Sequence, residues 1–329
     1  MIWTQTESGI LGAPSRRRLS AMLLAAAFDG AGRARADAVV EVRPGMSSKI
    51  TRDESYAPPR SLTTIADVYR RMTTPVSVNG AGPFPFVVDT GANQSVISSE
   101  LAQQLGLPAG EPLPLNSVAG VTITPTVQAR LGIGVLGRGE PTWLCTLPAA
   151  AIGGSGMLGL DLLQGARITL DFQRHAVTIN AHESLPGDGD EVLLRARRHD
   201  GQLTFVDADL AGLPVTAFLD SGAQDTIGNA ALRALAIQRY PTTLWSQIPV
   251  VSVTGQTVLC EFADLPSLRV GRLSLPTWPV AFADLHVFRL WNLIDRPAIL
   301  LGVDVLTRFE TVCLDFAHGE VRFRLPGHA

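Results

Sequence analysis

From about residue 73 onward, apolar and polar positions follow one another in short runs broken by Gly, Pro and Asn, the pattern of half-buried strands. Val76-Ser77-Val78-Asn79 leads into a Gly-Pro turn at Gly82-Pro83 and then into Phe84-Pro85-Phe86-Val87-Val88. Thr204 to Leu210 and Val215 to Leu219 read the same way further along. Helical signals are brief: Ser98 to Leu105 opens with capping residues, and Asp161 and Asp304 each stand where they would cap a short helix after a glycine. Strands and helices do not alternate as a parallel sheet requires, so an all-β architecture with short helices is expected. Residues 37–70, with Pro58-Pro59 and scattered charges, show no period and read as a poorly ordered arm.

The strand pattern occurs twice. Asp89-Thr90-Gly91-Ala92 returns as Asp220-Ser221-Gly222-Ala223, and Ser117-Val118-Ala119-Gly120 as Ser252-Val253-Thr254-Gly255. Pro141-Thr142-Trp143 returns as Pro276-Thr277-Trp278, and Leu170-Asp171-Phe172 as Leu314-Asp315-Phe316. Average residue usage gives a D-[ST]-G-A string about 0.02 times in a chain this long, so two copies in register mark an internal duplication. The expected organisation is one lobe over 72–185, a polar linker over 186–192 and a second lobe over 193–329.

Composition narrows the function without naming it. The 329 residues are 46% hydrophobic and 17% charged, with a formal net charge of -3, as in a globular protein. That balance lacks the basic excess of a nucleic-acid surface, and none is expected. Cys145, Cys260 and Cys313 are odd in number and widely spaced, which fits buried thiols better than a disulfide framework or a metal knuckle. Ser15-Arg16-Arg17-Arg18 followed by an apolar run to Phe28 and by Ala34-Arg35-Ala36 has the order of an export signal, with paired arginines of the twin-arginine type. An exported chain would start near Asp37, in the periplasm or outside the cell, with no membrane span.

The chemistry-bearing candidates are Asp89 and Asp220. Each follows an apolar run, Phe86-Val87-Val88 or Phe218-Leu219, and precedes a hydroxyl residue and a glycine. Packed about a pseudo-twofold axis, the two turns would meet, and carboxyl groups that close share one proton and titrate as a unit. Such a pair holds a base to activate water and an acid to protonate a leaving nitrogen. Thr90 and Ser221 are placed to send hydroxyl hydrogen bonds across the junction. Asp-Thr-Gly and Asp-Ser-Gly are also good turn strings on their own; it is the paired occurrence after apolar strands that favours a site.

V-V-D-T-G-A and F-L-D-S-G-A, each followed by an apolar-apolar-Gly string at Met157-Leu158-Gly159 and Leu300-Leu301-Gly302, resemble the retropepsin-type aspartic proteases. The resemblance spans roughly residues 72–325 and implies two β-barrel lobes in one chain, with Asp89 and Asp220 as the dyad. It implies dyad-positioning roles for Thr90, Gly91, Ala92, Ser221, Gly222 and Ala223, and loops packed on the catalytic turns through Gly159 and Gly302. Val118, Ala119, Gly120, Val253, Thr254 and Gly255 fall where substrate-covering flaps belong. No flap tyrosine stands beside Gly120 or Gly255. Ala92 and Ala223 replace the hydroxyl residue many pepsin-like enzymes carry, so the upper pKa of the pair should rise and the optimum move toward neutral pH.

The expected partner is a peptide or protein substrate, lying extended between the lobes, with no cofactor and no metal. A peptide-binding module of the same fold with weak or lost turnover is the alternative, and pairing of halves between two chains remains open beside the favoured monomer. Other motifs carry less. Gly132-Ile133-Gly134-Val135-Leu136-Gly137 and Gly154-Ser155-Gly156-Met157-Leu158-Gly159 match G-x-G-x-x-G but open no helix of a βαβ unit. Ser155 lacks a nucleophile-elbow setting, and the histidines show no zinc spacing. Asp171 and Asp315 read as strand-end carboxylates, and Trp143 and Trp278 as core anchors.

Overall fold

A computed structural model describes residues 71–133, 137–138, 140–163, 165–181, 191–199 and 202–326. The expected export signal, nearly all of the 37–71 extension and most of the 186–192 linker lie outside the described residues. The first half contributes β1 (Thr73–Val78), β2 (Ala81–Val88), β3 (Val96–Ser98), α1 (Ser99–Gln104), β4 (Ala109–Ser117), β5 (Gly120–Ala129), β6 (Leu131–Ile133), β7 (Gly137–Arg138), β8 (Thr142–Leu147), α2 (Ala149–Ile152), β9 (Gly156–Leu158) and α3 (Leu160–Leu163). Its nine strands form one sheet in the order β4-β5-β8-β3-β9-β2-β1-β6-β7.

Next come β10 (Ala166–Asp171), β11 (Ala176–Ala181), β12 (Glu191–Arg195) and β13 (Arg197–His199). The second half adds β14 (Gln202–Leu210), β15 (Leu213–Leu219), β16 (Ile227–Gly228), α4 (Ala230–Arg239), β17 (Ser246–Val251), β18 (Thr257–Leu265), β19 (Leu268–Val270), β20 (Leu273–Leu275), β21 (Trp278–Phe282), α5 (His286–Leu290), β22 (Ala298–Leu301), α6 (Val303–Leu306), β23 (Thr311–Asp315) and β24 (Glu320–Arg324). Its sheet runs β17-β18-β21-β16-β22-β15-β14-β19-β20, with β13 on β14. Position for position this repeats the first sheet, parallel pairs included: β2 with β9 and β3 with β8 answer β15 with β22 and β16 with β21.

Local chemistry accounts for the hairpins. β1 and β2 turn through Asn79 (φ 51°) and Gly80 (φ 88°), the left-handed pair that a two-residue hairpin demands and that Asn-Gly supplies. The turn is thus three residues earlier than the Gly82-Pro83 expected, and that dipeptide lies inside β2. The matching turn, Ala211-Gly212, also has positive φ at both residues, and the Gly212 N–H donates to Asp209 Oδ1. Ser98 caps α1 as expected, accepting from Leu101 N–H. The ten-residue α4, capped by Asn229, is longer than the brief helices expected.

A third sheet, β11-β10-β23-β24-β12, draws strands from both halves and joins them. Glu191 and Val192 already belong to β12, paired with β24, so the linker ends before the 192 boundary expected. One apolar cluster runs through this region from both halves, including Ile168, Leu170, Val312, Leu314, Phe316 and Phe323. Across the junction Arg167 donates to Asp315 Oδ2 from both Nε (3.1 Å) and Nη2 (2.6 Å), with both side chains 4% exposed. Burial alone would raise the Asp315 pKa, but the Arg167 and His318 hydrogen bonds bring it down to about 2. Asp171 closes the β10–β11 turn by accepting from Arg174. The tryptophans divide: Trp278 is buried, whereas Trp143 is partly exposed and lies over Gly110.

Removing one partner of a buried, hydrogen-bonded ion pair strands the other charge. Arg167→Met is expected to lower unfolding stability by about 3 kcal/mol in urea titration, with the loss shared by probes placed in either half.

Candidate active site

Asp89 and Asp220 sit at the C-terminal ends of β2 and β15, interior strands that pair in parallel with β9 and β22. The placement is fixed by backbone bonds of one kind on each side: Asp89 N–H donates to Leu158 O and Asp220 N–H to Leu301 O, both at 3.0 Å. Each carboxylate then folds back on its own turn, Asp89 Oδ1 accepting from Gly91 N–H (2.8 Å) and Asp220 Oδ1 from Gly222 N–H (2.9 Å). Ala223 N–H adds a 3.1 Å bond to Asp220 Oδ1. Both aspartates are 0% exposed.

The two turns interlock. Thr90 Oγ1 donates to Leu219 O (3.0 Å) and accepts from Ser221 N–H (3.1 Å). Ser221 Oγ donates to Val88 O (2.7 Å) and accepts from Thr90 N–H (3.1 Å). A small side chain that both donates and accepts is required at each position. The glycines serve a purpose different from the turn conformation the sequence suggests. Neither Gly91 nor Gly222 has positive φ; instead a Cβ on Gly91 would lie 2.6 Å from Asp220 Cγ, and one on Gly222 would lie 2.3 Å from Asp89 Oδ2. Each glycine thus faces the carboxyl group of the other lobe, and only hydrogen fits between. Ala92 and Ala223 are buried behind the turns.

Gly159 and Gly302 repeat this logic one layer out. A Cβ on either would come within 2.6 Å of backbone, that of Gln94 or that of Asp225. The loops expected to pack on the turns do so. Asp161 and Asp304 do not cap α3 and α6; they reach back to the turns, Asp161 accepting from Ser95 N–H and Oγ and Asp304 from Thr226 N–H and Oγ1.

The flap residues form the tips of two hairpins, Val118-Ala119-Gly120 between β4 and β5 and Val253-Thr254-Gly255 between β17 and β18. Gly120 (φ 138°) and Gly255 (φ 81°) supply the left-handed backbone that these tight ends need. The tips cross over. Val118, 1% exposed, joins an apolar cluster otherwise made of second-half residues such as Phe218, Ala223, Ile227 and Val250. Val253, 2% exposed, joins one of first-half residues such as Val87, Ala92, Leu115 and Cys145.

Comparison with known proteins bears on this arrangement. Residues 74–161 match the family model described as aspartyl protease. That match supports a protease role. A crystal structure of a retropepsin-like aspartic protease from Rickettsia conorii is similar over 40% of this chain and 87% of that chain, at 16% identity and a TM-score of 0.26. A search of the curated proteins finds no match.

Electrostatics in this site follow from burial. Desolvation, and then the charge of the Asp89 carboxyl, push Asp220 up to about 7. Sequence reasoning missed a second acidic pair in the second half. Asp225 lies beside Asp304, and its Oδ2 is out of reach of solvent without a hydrogen-bond partner. Burial and then the Asp304 charge raise Asp225 well above the usual range, and burial, partly offset by the Thr226 bonds, raises Asp304 to about 6. The first half carries neutral Gln94 where the second has Asp225, so the repeat of the two turns already contained the signal.

A carboxyl whose folded pKa is raised holds its proton more tightly folded than unfolded. Its contribution is complete below the unfolded value near 3.8 and is lost as pH rises through the folded one. Stability is therefore expected to fall between about pH 4 and pH 7, and Asp225→Asn should flatten that slope in thermal melts at constant ionic strength. Gly222→Ala must displace Asp89 and is expected to lower stability by about 1–3 kcal/mol, measured by denaturant unfolding.

Proposed function

We propose that the protein is an aspartic endopeptidase in which Asp89 and Asp220, one from each lobe, form the catalytic dyad. The observation that carries the reading is the interlock of the two Asp-[Thr/Ser]-Gly turns, which sets each carboxyl group against the glycine of the opposite turn. One proton shared across the pair leaves an ionised carboxylate to take a proton from water and a protonated carboxyl to polarise the scissile carbonyl. Attack gives a tetrahedral diol, and proton return to the nitrogen releases the amine. Extended peptide would lie under the two flaps, its backbone bonded to theirs and its side chains pointing alternately into each lobe. Because both aspartates come from the same chain, the reading needs one copy only, and the arginine-led apolar run at 15–28 supports an exported enzyme.

Purified protein offered a diverse peptide library should cleave it, and Asp89→Asn and Asp220→Asn should each reduce turnover by about 10³-fold or more. Activity needs one proton on the pair, so with Asp220 at about 7 the rate should hold through mildly acid pH and fall as pH rises past that value. Loss in only one variant, or a maximum near pH 2 to 3, well below the ordinary aspartate range, sinks the shared dyad. No cleavage by folded wild-type protein transfers the reading to a peptide-binding module.

A further inference from the structure

The two halves are not equal above the dyad. In the first half the connection from β8 to β9 is 148–155 and holds only α2; in the second, β21 to β22 runs over 283–297 and holds α5 and Trp291. Trp291 stacks on Phe218 at 4.2 Å and meets Phe288 edge-on at 6.3 Å, which anchors α5 beside the strand that carries Asp220. From that anchored position α5 grips the first flap. His286 N–H donates to Val118 O (3.1 Å), and His286 Nε2, carrying the ring proton, donates to Asn116 Oδ1 (2.9 Å). Asn116 is buried and Val118 almost wholly so. The two tips meet through Ser117 Oγ, which donates to Gln256 Oε1 (3.3 Å). Among the described residues no hydrogen bond joins the second tip, 252–256, to the 148–155 connection. Apart from that Ser117–Gln256 bond between the tips, the second tip meets the first lobe through apolar contact.

We infer that His286 is a positioning residue that fixes the first flap as the standing half of the roof, leaving the second flap as the half that lifts to admit peptide. This rests on the dyad reading for its enzymatic consequence but not for its structural one. Burial, and then the nearby Arg289 guanidinium, lower the His286 pKa, which disfavours the protonated ring; the bond to Asn116 needs only the Nε2 proton of the neutral imidazole. A flap already in place loses less freedom when peptide binds, which shows in affinity and not in the chemical step.

The test is amide hydrogen exchange followed by peptide mass spectrometry on the full chain, with hydrolysis measured beside it. In wild-type protein, amides of 252–256 should exchange at least about fivefold faster than those of 116–120. His286→Ala should speed 116–120 by about five- to tenfold, what one buried hydrogen bond supports, and leave 252–256 as they were. His286→Gln, which keeps a side-chain donor, should restore most of the protection. In hydrolysis His286→Ala should raise KM by a similar factor with kcat within about twofold, and adding Asn116→Ala should add little, since both changes break one contact. Equal exchange of the two tips in wild type overturns the inference. So does acceleration spread through both lobes, or a fall in kcat with KM unchanged. Protein that shows the exchange pattern but cleaves nothing keeps the unequal flaps and removes the endopeptidase reading.

Discussion

The structure depends on four hydrogen bonds that Thr90 and Ser221 exchange at the junction of the two large sheets. Each hydroxyl accepts from the opposite turn's amide and donates to the carbonyl that ends the opposite strand, so neither turn is complete without the other. Buried polar groups satisfied in this way specify one register, because any slip leaves several unpaired at once. Everything above the junction inherits its position from it. The carboxyl groups are pointed by their own turns, but they are brought together only because the turns lock. The two glycines then remove the last steric obstacle to contact.

Holding two carboxyl groups together out of water opposes their ionisation, and the surroundings show how the fold meets this. Where a guanidinium faces a buried carboxyl, as Arg167 faces Asp315, it stabilises the charge and the pKa falls. Asp89 and Asp220 instead receive amide donors on one oxygen each, while burial and the neighbouring carboxyl raise Asp220. On the proposed reading, a pair carrying one charge is what acid–base work on water requires. The same physics without any visible catalytic use recurs at Asp225 and Asp304, where the second half keeps a carboxyl that the first replaces by Gln94.

Much of this was legible in the sequence because duplication prints every constraint twice. The paired Asp-[Thr/Ser]-Gly-Ala strings, the paired flap tips and the paired Gly159 and Gly302 marked positions where chemistry or close approach restricts the residue, and restriction survives in both copies. What could not be read lay where the copies differ. His286 and Trp291 stand in a connection much longer than its first-half counterpart, so no internal comparison exposes them, and a lone histidine in a short helix has no spacing signature. Trp143 failed as a core anchor for a related reason. It matches Trp278 in sequence, but it projects over Gly110 at the surface while its counterpart is covered by the second half's own packing. The function of Gly91 and Gly222 was misjudged in kind, since a sequence shows that a side chain is absent but not what stands in its place.

That asymmetry has a physical logic within a single chain. In an assembly of two identical chains the flaps must be identical, so any contact that restrains one restrains both, and a roof firm enough to bind peptide resists its entrance. Fusing the halves removes that coupling. One connection is free to lengthen, to seat an aromatic pair behind Phe218 and to bring a hydrogen-bond donor against one flap only. The other flap keeps its apolar plug, Val253 among first-half side chains, which binds without direction, and one side-chain bond to the first tip, from Ser117 to Gln256. On the proposed reading, affinity and access, which compete in a symmetric roof, would thereby be assigned to different hairpins.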